Sequence, residues 1–198
     1  MAFAAAGASR LSLIARSLEN LNTTKHLVEK GGFGQIDVSD SISVKKFFEN
    51  NMTAPIDILV NSAAQEKPGA TAIMTGSMGT DYVTEGWSAY QSGKTSINRI
   101  AEFVDAEYGS KGIRSFAYHP GNTWTGMVNG RVPSDLEPLF KDTVELSGGF
   151  AVWLTTEKTS SLKGRYVAAT WDVEELESIK ESILGSDLLK TRVIGGAG

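Results

Sequence analysis

The sequence predicts an α/β fold built on a parallel sheet covered on both faces. Two observations point there: short apolar runs alternate with helical patterns along the chain, and several of the runs are continuously apolar, as in strands buried on both sides. No internal repeat and no low-complexity linker interrupts the alternation. At 198 residues the chain has the size of one domain, residues 1–198, long enough to bury a real core.

Leu11–Ala15 is an apolar run read as the first strand, and residues 18–30, with Leu18, Leu21, Leu27 and Val28 apolar, read as a helix closing at Gly31-Gly32. Residues 35–38 read as the second strand. Asp40 is placed to cap a helix in which Val44, Phe47 and Phe48 recur at helical spacing. Strands are expected at 56–60 and 71–75, then a helix from about Trp87 to Tyr108, stopped by Gly109 and Gly112. A strand over 113–118 runs into Pro120-Gly121. Residues 135–156 read as mostly helical, 164–169 as a late strand and 174–184 as one terminal helix. The glycine-rich tail, 195–198, is expected to be mobile.

Composition narrows the function. Nineteen basic against 23 acidic residues give a net charge of −4, with 41% apolar and 21% charged residues, an ordinary globular balance. The mild acidity offers no electrostatic reason to bind nucleic acid. No cysteine is present, which excludes thiolate ligands and a Cys nucleophile. With His26 and His119 the only histidines, no metal site is expected. No apolar run approaches the roughly 18 residues needed to cross a bilayer, so a soluble, cytoplasmic protein is expected. Met1–Ser17, with Arg10, Arg16 and no acids, also has a transit-peptide-like composition, but reads better as the end of an Ala-rich helix entering a strand.

The chemistry concentrates in Ser77 and Tyr90-Gln91-Ser92-Gly93-Lys94. Tyr90 and Lys94, at i and i+4, share a helix face. An ammonium beside a phenol favours the phenolate, so such a tyrosine can exchange a proton with a carbonyl or an alcohol. Ser77 ends its strand, where open α/β sheets place ligands, and could bond the same substrate oxygen. His119 is read as structural, the tryptophans mostly as packing with Trp124 the exception worth testing, and Glu102, Asp105 and Glu107 as a solvated helix face. Gly31-Gly32-Phe33-Gly34 reads as a helix stop and turn.

Ser77, Tyr90 and Lys94 resemble the catalytic Ser, Tyr and Lys of the short-chain dehydrogenase/reductase family. The resemblance extends to Asn61-Ser62-Ala63-Ala64, similar to the family's Asn-Asn-Ala-Gly segment, to Asp37-Val38 at the adenine ring, and to Pro120-Gly121-Asn122-Thr123-Trp124-Thr125 at the nicotinamide carboxamide. It implies a Rossmann-like doubly wound parallel sheet, here truncated at the N-terminus. It also implies hydride transfer between a nicotinamide cofactor and a small-molecule carbonyl or secondary alcohol. Tyr90 would be the acid/base, Ser77 the oxygen anchor and Lys94 the ribose binder. The cofactor site would comprise Arg16, Asp37, Val38, Asn61, Tyr90, Lys94, Pro120, Gly121, Thr123 and Thr125. Arg16 favours a 2′-phosphate and thus NADP(H), with NAD(H) possible.

Two family elements are missing from the sequence: the glycine-rich turn after the first strand, and the helix between the Asn61 segment and the Ser77 strand. Only residues 65–69 stand in for that crossover, which should leave the sheet face uncovered. The missing helix belongs to the family's common dimer interface, so oligomeric state is left open. The alternative to an enzyme is a catalytically inactive relative, acting as an interaction protein or non-functional.

Overall fold

A computed structural model describes residues 13–15, 33–35, 40–51, 58–60, 69–125, 128 and 135–193. By its internal packing the chain divides into two compact units, Met1–Ile56 and Asp57–Gly198.

In the first unit, β1 (Leu13–Ala15) pairs in parallel with β2 (Phe33–Gln35), Leu13 opposite Phe33 and Ala15 opposite Gln35. The second strand thus includes Phe33 and Gly34, ahead of the expected start at Gln35, and residues 36–38 lie outside the described residues. Phe33 and Gly34, read as a turn, are held in the ladder because their backbone groups have β1 as partner. Helix α1 (Ser41–Asn51) starts as predicted: the Ile42 amide and the Ser43 hydroxyl both donate to the Asp40 carboxylate, satisfying an otherwise orphaned N-terminal donor. Phe47 is buried. The helix expected over 18–30, His26, Arg16, Asp37, Val38, Asn61 and the 195–198 tail lie outside the described residues.

The second unit carries four parallel strands in the order β3 (Ile58–Val60), β4 (Thr71–Thr75), β5 (Arg114–His119), β6 (Arg165–Ala168). Ile58 stands opposite Thr71, Ile73 opposite Phe116, and Ala117 opposite Tyr166. The β3–β4 connection is residues 61–70, below the dozen or more that parallel neighbours usually need. Even so, Thr71, Ala72, Ile73 and Met74 are all buried, so the uncovered face expected at β4 is not found. Met74 and Ala117 on one side of the sheet pack with Tyr166 under Ala101 and Ile97 of helix α2 (Ser88–Tyr108). On the other side, the Tyr118 ring stacks on Phe150 of helix α3 (Val144–Trp153). Helices on both faces of a parallel sheet make this unit doubly wound.

Helix α2 ends at Tyr108, as its glycines predict, with the chain leaving through Gly112 in the left-handed region (φ 79°). The span 135–156 departs from expectation. It holds only a short 3-10 turn, Glu137–Leu139, and then α3, which begins at Val144 where the Thr143 hydroxyl accepts from the Leu146 amide. Pro138 has no N–H and restricts the residue before it, and Asp142 is drawn into hydrogen bonds elsewhere, so one helix does not form. The terminal helix is likewise two: α4 (Val173–Ser178), capped by Asp172, and α5 (Lys180–Leu184). Ser178 turns its hydroxyl back onto the Glu175 carbonyl, a local alternative to continuing the helix.

Candidate active site

Ser77 follows the last residues of β4, extended (φ −160°, ψ 143°), and caps a 3-10 turn, Met78–Thr80. The Gly79 amide donates to Ser77 Oγ at 3.0 Å. A hydroxyl has one proton and two lone pairs. With one lone pair taken by Gly79, the Ser77 proton stays available to donate to an incoming oxygen. The side chain is 8% exposed, so this donor lies at the edge of the protein interior, where a hydrogen bond is stronger than in water.

Tyr90 and Lys94 sit one turn apart at the start of α2. Tyr90 is 40% exposed, and the edge of its ring meets Trp87 at 5.6 Å between centroids. Lys94 Nζ lies 5.8 Å from the centre of the Tyr90 ring and donates to the Thr75 carbonyl at 2.8 Å. That bond ties the ammonium to the strand end two residues before Ser77. Half-burial pushes the Lys94 pKa below its ordinary value, because desolvation penalises the charged form. A β-carbon on Gly79 would lie 3.8 Å from Gln91 Cγ, so the Ser77 turn packs directly on the helix turn bearing Tyr90. The structure therefore brings all three predicted catalytic side chains to one end of β4.

The 120–125 loop leaves β5 at the same end of the sheet. Gly121 has φ 91°, and a β-carbon there would come within 2.9 Å of Asp142 Oδ2, so only glycine fits. The Asn122 amide donates to that oxygen at 2.6 Å, and the Asp142 amide returns a bond to the Asn122 carbonyl at 3.1 Å. Asn122 Nδ2 also reaches Met78 Sδ at 3.5 Å, joining this loop to the Ser77 turn. Thr123 Oγ1 is buried without a hydrogen-bond partner, and Trp124 meets Phe140 edge-on. His119 is buried, as a structural residue would be, and Ala169 N donates to its carbonyl at 2.8 Å.

The sequence reading missed several residues. Gln91 and Thr84 exchange hydrogen bonds (Thr84 N to Gln91 Oε1, 3.0 Å; Gln91 Nε2 to Thr84 Oγ1, 3.3 Å), pinning the loop that enters α2. Trp87, read as packing, touches Tyr90. Asp142, which no motif marks, fixes the 120–125 loop. Glu102 and Asp105 are not simply solvated. Glu102 pairs with Arg99 at 3.0 Å and Arg192 at 2.6 Å, and Asp105 packs against Gly164. Among the described residues no group of three or more His, Asp or Glu is placed to hold a metal, and no helix is long and apolar enough to cross a membrane.

Fold and site together define a Rossmann-like α/β domain whose polar groups gather at the carboxyl ends of parallel strands. None of the protein-family models compared with the chain matches it. The chain is 40% identical over 124 residues to the short chain dehydrogenase mpl6 of Monascus purpureus, a match covering 63% of this chain and 42% of that protein. It thus spans less than half the length of that curated relative. An oxidoreductase of the short chain dehydrogenase/reductase family from Burkholderia thailandensis superimposes with a TM-score of 0.65 at 19% identity, covering 84% of this chain and 83% of that one. BdcA, crystallised with NADPH, superimposes with a TM-score of 0.63 at 17% identity, covering 80% and 81%. Over the matched stretch the chain is similar to curated short chain dehydrogenases, and its fold is that of the solved structures named above.

Proposed function

We propose that the chain is an oxidoreductase that moves a hydride between NADP(H) and a small-molecule carbonyl or secondary alcohol. The observation that carries this reading is the Ser77 hydroxyl, its proton left free by the Gly79 amide, at the strand end to which Lys94 is tied beside the Tyr90 ring. A carbonyl oxygen accepting from Ser77 is polarised for attack at carbon. Tyr90 gives its phenolic proton to that oxygen as negative charge develops there, and takes it back in the reverse direction. Lys94 stabilises the phenolate left behind, and the donors not spent on Thr75 can bind a ribose hydroxyl.

The nicotinamide cofactor, when bound, supplies or accepts the hydride. The chain fits such a group in one checkable respect: the orphaned Thr123 hydroxyl is a buried polar atom awaiting a partner, in the loop expected to meet the carboxamide. Pro120, Gly121, Thr123 and Thr125 would hold that end, and Arg16, Asp37, Val38 and Asn61 are proposed for the adenosine end. Arg16, whose guanidinium suits a phosphate, is the reason for preferring NADP(H) to NAD(H).

Titration with NADPH and NADH, followed by nucleotide fluorescence and thermal stability, tests the reading. Free ligand at 100 times Kd should stabilise the fold by about 2.7 kcal/mol. No response to either nucleotide up to millimolar levels rejects the enzyme reading in favour of an inactive relative. Where binding is seen, Tyr90→Phe should abolish carbonyl reduction and leave nucleotide binding intact; loss of binding in that variant would contradict the assigned role.

A further inference from the structure

One turn beyond Lys94, on the same face of α2, lies Asn98. It is 5% exposed, and its carboxamide stands between the helix and both flanks of Ser77. On one flank, Asn98 Nδ2 donates to Thr80 Oγ1 at 3.4 Å, a long bond. Thr80 Oγ1 in turn donates to the Ser77 carbonyl at 3.0 Å, and the Thr80 amide reaches the same carbonyl at 3.2 Å. On the other flank, a β-carbon at Gly76 would lie 3.4 Å from Asn98 Oδ1, so the backbone just before Ser77 rests against the amide oxygen. That oxygen is buried without a partner.

An unsatisfied buried amide is costly, and an apolar residue of similar shape would remove the cost. A polar group kept at such a position calls for an explanation. The contacts supply one: Asn98 touches the backbone ahead of Ser77 and holds the turn beyond it.

We propose that Asn98 is a positioning residue, acting through Thr80 to hold the 77–80 turn on the helix that carries Tyr90 and Lys94. The Ser77 hydroxyl is thereby kept in register with the phenol. The inference rests on the reading of Ser77 as the oxygen anchor. Its physical content, a tether between α2 and the turn, stands apart from any turnover.

Asn98→Leu and Thr80→Val each cut the tether, and Thr80→Ser keeps the hydroxyl. Two readouts are needed in the full chain. Amide hydrogen exchange at Gly79, protected by Ser77 Oγ, should quicken in Asn98→Leu and Thr80→Val and return to the wild-type rate in Thr80→Ser. For an active enzyme, kcat for carbonyl reduction should fall about 10- to 100-fold in both, the scale of a misplaced catalytic group, with nucleotide affinity unchanged. The double variant should be no worse than either single, because both changes break one link. Unchanged exchange at Gly79 overturns the tether, as do losses of kcat that multiply in the double variant. A wild-type chain that binds no nucleotide sinks the oxidoreductase reading alone, and Gly79 exchange then decides this one. Should Asn98→Leu fail to fold, the half-buried Thr80 variants carry the test.

Discussion

The side chains that matter here differ in how far their partners lie along the chain. Tyr90 and Lys94 could be read from spacing because a helix fixes the i, i+4 relation, and Ser77 because it ends a strand with a clear apolar pattern. Asp142 could not: its bond to the Asn122 amide spans twenty residues, and no local pattern encodes it. Thr80 and Asn98 escaped notice for the same reason, as their bond crosses eighteen. His119 shows burial acting on charge. Desolvation lowers its pKa below the ordinary value, and the Asp142 and Asp81 carboxylates only partly counter this. The unfolded chain therefore takes up the proton first. Stability at His119 is intact above the ordinary histidine value of about 6.5 and falls as the pH drops below it. Denaturant midpoints at pH 7 and pH 5 should show the wild type losing more stability than His119→Gln. An equal loss would assign the acid sensitivity to other groups.

Among the elements, β2 begins in Phe33 and Gly34, read as a turn, whereas α2 and the strands of the four-stranded set were the legible ones. Continuous apolar runs and the Gly109 and Gly112 stops mark them locally, and β4 falls where it was expected. The 135–156 and 174–184 segments were not, because their ends depend on Pro138, the Asp142 bonds and the Ser178 hydroxyl rather than on periodicity. The end of α5 depends on a more distant group. The buried Arg165 guanidinium donates to the carbonyls of Ile183 at 2.6 Å, Ser161 at 3.1 Å, Leu188 at 3.2 Å and Ser186 at 3.3 Å. Helix-end carbonyls lack intrahelical partners, and this one cation satisfies several at once. Arg165→Met fills similar space but orphans those acceptors, so we expect a loss of more than about 2 kcal/mol in denaturant titration. Arg192, paired with Glu102 and Asp187, is the control. Its pairing with Asp187 is open to solvent and screening, although Glu102 is largely covered, and Arg192→Ala, which orphans no buried carbonyl, should cost less. Comparable losses would show that charge at this terminus, rather than buried carbonyl satisfaction, holds α5.

At the scale of the molecule, cohesion is uneven. The described residues hold a parallel pair in one unit and a four-stranded parallel set in the other. Among the described residues the pair β1–β2 holds two strands of three residues each, and two strands alone are marginal in water. The four-stranded set is different: Ile73, Phe116 and Val167 are wholly buried on neighbouring strands, with α2 packed on one face and α3 on the other. Opening that set exposes a core, so its amides should exchange only through events close to global unfolding, whereas β1–β2 can open locally. Native-state hydrogen exchange on the full chain should therefore find Leu13–Ala15 and Phe33–Gln35 exchanging well before Ile73, Phe116 and Val167. Equal protection throughout would mean that the pair and the set unfold as one cooperative unit, and would require contacts strong enough to couple them.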